Sequence, residues 1–247
     1  MKEAVEVIIV MVLAAAFSQS AWAGRPCETE GPGVTPQGAV EMAIGTEYAS
    51  GAVVGKSFEA GINFAYGLAE NVEVDVCAHG IVYSSTEGDE TSGLEDGGFF
   101  AKWRFFGSDE SDSAAAVFGA VSMPTGDENE GLGCGTHDGS LGLTYSQALG
   151  GGVTTYVNGV YSAAQHGNGC VTLGVALEKE MSEKVVLVCE YVTDKGTGGG
   201  KDEDSDRVLA GAVINATEKL AVDVGLKWGL DNRTADITVI TGITYAF

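Results

Sequence analysis

Apolar and polar residues alternate with a period of two along most of the chain. From Asp236 to Phe247, the side chains of Ile237, Val239, Ile243, Tyr245 and Phe247 fall on one face of an extended segment. Asp236, Thr238, Gly242, Thr244 and Ala246 fall on the other. That period belongs to a β-strand with one apolar face. The preceding segment repeats it, with Leu220, Val222, Val224, Leu226 and Trp228 opposed to Lys219, Asp223, Gly225 and Lys227. The same rule predicts strands at 38–48, 57–67, 72–83, 97–106, 113–123, 138–147, 152–162, 169–179, 184–193, 205–215, 219–229 and 236–247. Most are close to the roughly 9–11 residues that a tilted strand needs to cross the hydrocarbon of a bilayer.

The connections alternate in length. Short turns are predicted at Leu68 to Asn71, Gly107 to Asp112, Leu149 to Gly151, Glu180 to Glu183 and Ala216 to Glu218. Longer polar or Gly-rich links are predicted at Ala49 to Lys56, Ser84 to Asp96, Pro124 to His137, Ala163 to Asn168, Asp194 to Asp204 and Leu230 to Ala235. Short turns at one end and long loops at the other, with both termini on the short-turn side, describe a barrel that spans a bacterial outer membrane. The expected fold is therefore all-β: a transmembrane antiparallel up-and-down β-barrel of about 12 strands.

Lys2, the apolar run Val7 to Phe17 and the small-residue site Ala21-Trp22-Ala23 read as a cleaved signal peptide over 1–23, leaving 24–247 as the barrel. Glu3 and Glu6 are unusual for such a leader, and an N-terminal anchor helix is the alternative. The run is shorter than the ~20 residues of a spanning helix, which favours cleavage. The formal net charge of −22 argues against nucleic acid and against a basic membrane-surface helix, since both need clustered Lys and Arg.

The stretch Phe118-Gly119-Ala120-Val121-Ser122-Met123-Pro124-Thr125-Gly126-Asp127 resembles the outer-membrane transporter family named for the meta-pathway of phenol degradation. So do Phe99 to Phe105, Gly67 to Glu73 and the terminal Thr241-Gly242-Ile243-Thr244-Tyr245-Ala246-Phe247. The C-terminal Phe247, with Tyr245 before it, is similar to the signal that the barrel-assembly machinery reads in outer-membrane proteins. The resemblance implies passage of small, often hydrophobic molecules. It supplies no catalytic residues to carry over, and no cofactor is expected.

Alternation points Glu41, Glu47, Glu59, Asn63, Glu73, Asp75, His79, Lys102, Arg104, Glu178, Glu190, Asp223 and Lys227 inward. A mainly acidic lumen would favour cations or neutral polar solutes, with Lys102 and Arg104 as a basic counter-patch. Alternatively these groups pair across the interior and plug it. Aromatic residues near strand ends, Tyr48, Tyr66, Trp103 and Trp228 among them, are candidates for the interfacial girdles.

Cys134 and Cys170 flank one hairpin at the long-loop side and form a candidate disulfide, which an exported chain permits. With His137 and His166 they also make a candidate zinc set, though not at the spacing of a known finger, and no metal is expected. Cys77 and Cys189 read as small buried hydrophobes. The acidic runs Asp127 to Glu130 and Lys201 to Asp206 lack a calcium-loop pattern and read as solvated faces, or as bridges to lipopolysaccharide through divalent ions. Three His and no Gly-x-Ser-x-Gly elbow select no catalytic pair. The expectation is a non-enzymatic outer-membrane channel for a small solute, set in lipid and lipopolysaccharide. A plugged binding or adhesion barrel, or an outer-membrane lipid hydrolase, is the alternative.

Overall fold

The computed structural model describes residues 25–51, 55–79, 81–86, 89–133, 135–163, 169–197 and 204–247. Among them one antiparallel sheet holds fourteen strand segments. In chain order these are β1 (Val40–Gly51), β2 (Gly55–Ala69), β3 (Val72–His79), β4 (Ile81–Thr86), β5 (Asp89–Leu94), β6 (Gly97–Phe106) and β7 (Ser113–Met123). There follow β8 (Gly139–Gly150), β9 (Val153–Ala163), β10 (Cys170–Ser182), β11 (Val185–Gly196), β12 (Ser205–Asn215), β13 (Leu220–Gly229) and β14 (Ile237–Ala246).

The sheet closes because β1 pairs with β14 on one side and β2 on the other, with Ile44 opposite both Ile243 and Ile62. Cys77 pairs with Gly98 and Ile81 with Leu94 in one continuous register, so β3 runs on into β4 and β5 into β6. The result is a closed twelve-strand up-and-down barrel, each strand paired with its neighbours in sequence. Closure leaves no sheet edge, which is what lipid demands of a spanning sheet.

The link expected from Ser84 to Asp96 is instead mostly strand, because β4 and β5 prolong one hairpin. Residues such as Glu90, Thr91 and Ser92 carry no apolar face, so a rule seeking lipid-facing alternation passes over them. At the opposite end one turn is made by Gly150, Gly151 and Gly152, all at positive φ (84°, 61° and 72°), where any other residue would be strained.

The barrel is apolar outside and polar inside. Phe64, Leu141, Leu143, Val175, Val224 and Ile243 are exposed on the outer face, whereas Asn63, Glu73, Asp75, Lys102, Thr144, Glu190 and Asp223 are buried in the interior. This inversion of a water-soluble fold fits a barrel whose outer solvent is lipid. Cys189 lies on the exposed outer face rather than buried, because it follows Val188 and precedes Glu190 on β11 and both of those point inward.

Candidate functional site

The interior is crossed by residues 25–39, which precede β1 and take no place in the wall. Three of the four prolines of the chain, Pro26, Pro32 and Pro36, lie in this arm, and a residue without an N–H cannot serve a continuous ladder. The arm is rooted beside β2, where Gly38 N–H donates to Gly67 O at 2.8 Å and Gly67 N–H to Ala39 O at 3.2 Å. A Cβ at Gly67 would collide with the carbonyl oxygens of Thr35 and Pro36, so the close approach of the arm requires glycine there.

From that root the arm traverses the lumen through polar contacts of alternating sign. Thr35 donates its N–H and its hydroxyl to Glu73 Oε2 of β3, at 2.6 and 2.7 Å. Glu30 accepts from Lys102 Nζ of β6 at 2.6 Å, and its carbonyl from the Thr144 hydroxyl of β8 at 2.5 Å. The N–H groups of Glu28 and Thr29 both donate to the Glu190 carboxylate of β11, the first at 3.0 Å. Arg207 Nε of β12 donates to both oxygens of the Glu28 carboxylate at 2.9 and 2.8 Å. Lys227 Nζ of β13 lies 2.6 Å from Glu28 Oε1. At the far wall Arg25 grips Asp223 with Nε and Nη2, each at 3.1 Å, and donates to Thr241 O at 2.7 Å. Wall cations thus hold arm carboxylates, and wall carboxylates hold arm N–H groups and a guanidinium. Bidentate and charge-assisted bonds of this kind are the strong ones in a low-dielectric interior.

Several residues singled out in the sequence meet here. Glu73, Lys102, Glu190, Asp223 and Lys227 all bind the arm. Lys102 also pairs with Glu73 at 3.1 Å, and Lys227 with Glu47 at 3.5 Å. Asp75 accepts from Asn63 at 3.1 Å, and Glu178 from the Tyr156 hydroxyl at 2.8 Å. Glu41 and Glu59 are half-buried on strands β1 and β2. Arg104 lies apart from Lys102's partners, at the short-turn end, where it pairs with Asp109 and donates to Glu70 O at 3.3 Å. The side chain of His79 and residue Cys134 lie outside the described residues, as does His166, so neither the disulfide nor the zinc set is described. His137 Nδ1 contacts Ser122 O at 3.0 Å. No group of three or more metal-ligating side chains occurs among the described residues.

Sequence reading passed over Glu28, Glu30 and Arg207, together with Asp194, which pairs with Arg207. The arm has no periodicity to read, and Arg207 stands at the edge of its strand's alternation beside Asp206. The visible signal was three prolines and three charges between residue 24 and the first strand.

Beside the polar latch lies an apolar wall. Cys27 of the arm packs on Ala176, Val188, Leu209 and Ile240, with Tyr156, Val186 and Val213 around them. A cavity of about 110 Å³ opens between Cys27, Thr29 and Gly31 of the arm and Tyr156, Ala176 and Glu178 of the wall.

The Pro124-Thr125-Gly126-Asp127 motif pins the outer loop that follows β7. The Thr125 hydroxyl accepts from Gly97 N at 2.7 Å, Gly126 N donates to Asp96 Oδ1 at 2.9 Å, and Leu132 is buried against Gly93. At the opposite end the rings of Tyr245 and Phe247 meet edge to face at 5.0 Å, and Phe247 N donates to Val40 O at 3.0 Å.

The family model described as MetA-pathway of phenol degradation matches residues 23–247. A search of curated proteins gives no match. Among solved structures, the fold is similar to an outer membrane channel from Pseudomonas putida F1, with a TM-score of 0.69 at 14% identity over 87% of this chain and 98% of that one. It is similar to the KdgM porin in complex with disordered oligogalacturonate, with a TM-score of 0.61 at 9% identity over 84% and 99% of the two chains. It is also similar to the CymD monoaromatic hydrocarbon channel, with a TM-score of 0.51 at 7% identity over 85% and 88%. At these identities the likeness is one of fold.

Proposed function

The chain belongs to the family described as MetA-pathway of phenol degradation, and on that premise we propose that it is an outer-membrane channel for small, weakly polar or aromatic solutes. The observation that carries this reading is a closed barrel, apolar outside, whose interior joins a polar latch to an apolar strip and a small cavity. The strip formed by Val188, Leu209 and Ile240, which Cys27 of the arm covers, is a surface on which an apolar body can rest when the arm lifts. The fold is shared with channels and porins, one of them named for monoaromatic hydrocarbons.

Wall carboxylates at Glu41, Glu47, Glu59, Glu73, Asp75, Glu178, Glu190 and Asp223 outnumber the wall cations Lys102, Arg104, Arg207 and Lys227. In this reading the lumen is mainly acidic and favours cations among ions. The arm restricts passage, which favours narrow solute selectivity over general diffusion. Tyr245 and Phe247 act as the assembly signal, and lipid with lipopolysaccharide surrounds the barrel.

Liposome swelling tests the reading. Vesicles carrying the refolded mature barrel should admit a solute of catechol size measurably faster than empty vesicles, and should exclude a disaccharide. Equal exclusion of both would favour a plugged binding barrel, the second reading, which rests on the same arm.

A further inference from the structure

The arm presents the wall with a particular chemistry, and the wall answers it with residues that belong to rigid strands. Glu190, Leu209 and Lys227 stand opposite one another in register on β11, β12 and β13, and Arg207 lies two residues from Leu209 on the same face. Arg207 and Lys227 converge on one carboxylate, that of Glu28. Glu190 accepts the N–H of that same residue, four bonds back along its side chain. Leu209, with Val188, Ile240 and Ala176, takes the apolar neighbour Cys27. Asp194 and Glu47 pair with Arg207 and Lys227 from the wall. They fix the direction of the two cations and leave the Glu28 position between them.

We infer that this wall is a receptor for small carboxylates that carry a separate hydrogen-bond donor and an apolar body, hydroxylated aromatic acids being the fitting class, and that Glu28 and Cys27 occupy it as a built-in stand-in for such a ligand. Three contacts define the class: a two-cation fork for the carboxylate, an acceptor for an O–H or N–H a few bonds away, and an apolar strip beside them. The surrounding lumen is acidic, so an anion has few other places to rest, and a neutral analogue gains nothing at the fork. A ligand that takes the fork must lift the arm, because one carboxylate position cannot hold two anions. Binding therefore competes with the arm and exposes Cys27, which is buried at 8% exposure while the arm is seated. This inference rests on the channel reading for the ligand's access, and the test below separates the two.

Alkylation of Cys27 in the folded, detergent-solubilised mature protein, resolved from the other cysteines by peptide mass spectrometry, reads arm release directly. 3-Hydroxybenzoate at saturation should speed Cys27 labelling by roughly fivefold or more, as a shift of the seated population requires. Benzoate, which lacks the donor, should do less, and 3-hydroxybenzyl alcohol should do nothing. Arg207→Gln should raise the basal rate by loosening the arm and bring the ratio with and without 3-hydroxybenzoate to about one. If that variant fails to fold, Glu190→Gln serves, and it should erase the advantage of 3-hydroxybenzoate over benzoate. Equal acceleration by the acid and the alcohol, or none by either, would overturn the receptor. If a barrel lacking the arm still passes small solutes in either of those cases, the channel reading stands alone.

Discussion

Two adjacent residues carry the inside and the outside of this barrel. Val224 is exposed on the lipid face, and Asp223, 4% exposed, holds Arg25 across the lumen. Val224→Arg should cost about 2–4 kcal/mol if placed near the bilayer midplane, and should cut the folded fraction in vesicle refolding. Asp223→Asn should fold, because the amide still fits the lumen, but should free the tip of the arm and raise Cys27 labelling. Equal damage from both would refute the assignment of faces. Lys102 is fully buried between Glu30 and Glu73. Lys102→Met strands two carboxylates and should destabilise the barrel by about 3–5 kcal/mol in urea titrations, with partial recovery on adding Glu73→Gln. The faces were legible from the sequence because alternation is local. The arm's partners were not, since Arg25 and Asp223 lie 198 residues apart and no local pattern joins them.

At the scale of elements, the strands over 97–106, 113–123 and 205–215 coincide with β6, β7 and β12 as read from alternation alone, since each has a clean apolar face. The part of the β4–β5 extension beyond Tyr83 and the arm escaped that reading for opposite reasons. The first is extended chain without an apolar face, and the second concentrates charge and proline in a segment that pairs with side chains rather than with a ladder. The outer hairpin also holds a titratable joint. Glu95, between β5 and β6, has its carboxyl pushed up to about 7 by burial and by the nearby charges of Glu59 and Asp96. A carboxyl raised in the folded state favours that state most at low pH, below its unfolded value, and the benefit is lost as pH rises through about 7. Amides of the outer loop after β7 should therefore be less protected at pH 8 than at pH 5.5, once each rate is divided by its intrinsic rate at that pH, with the difference removed by Glu95→Gln. Equal protection at the two pH values in the unaltered protein would contradict this.

For the whole molecule, the barrel supplies a rigid wall and the arm supplies the occupant. A closed ladder satisfies every wall group in lipid, which leaves the interior free to carry the charged residues that a soluble sheet would turn to solvent. The fold was legible as a whole because twelve short periodic segments with alternating links have few other solutions. Whether its interior is open or filled was not legible, because filling depends on one aperiodic segment. The most direct test is single-channel conductance in a planar bilayer, comparing a chain of residues 24–247 with a form that also lacks residues 25–36. Small or absent steps are expected from the first and severalfold larger, cation-preferring steps from the armless barrel, since the acidic wall then faces water. Equal conductance from two folded, inserted proteins would show that the arm does not govern passage, and would contradict the account at its centre.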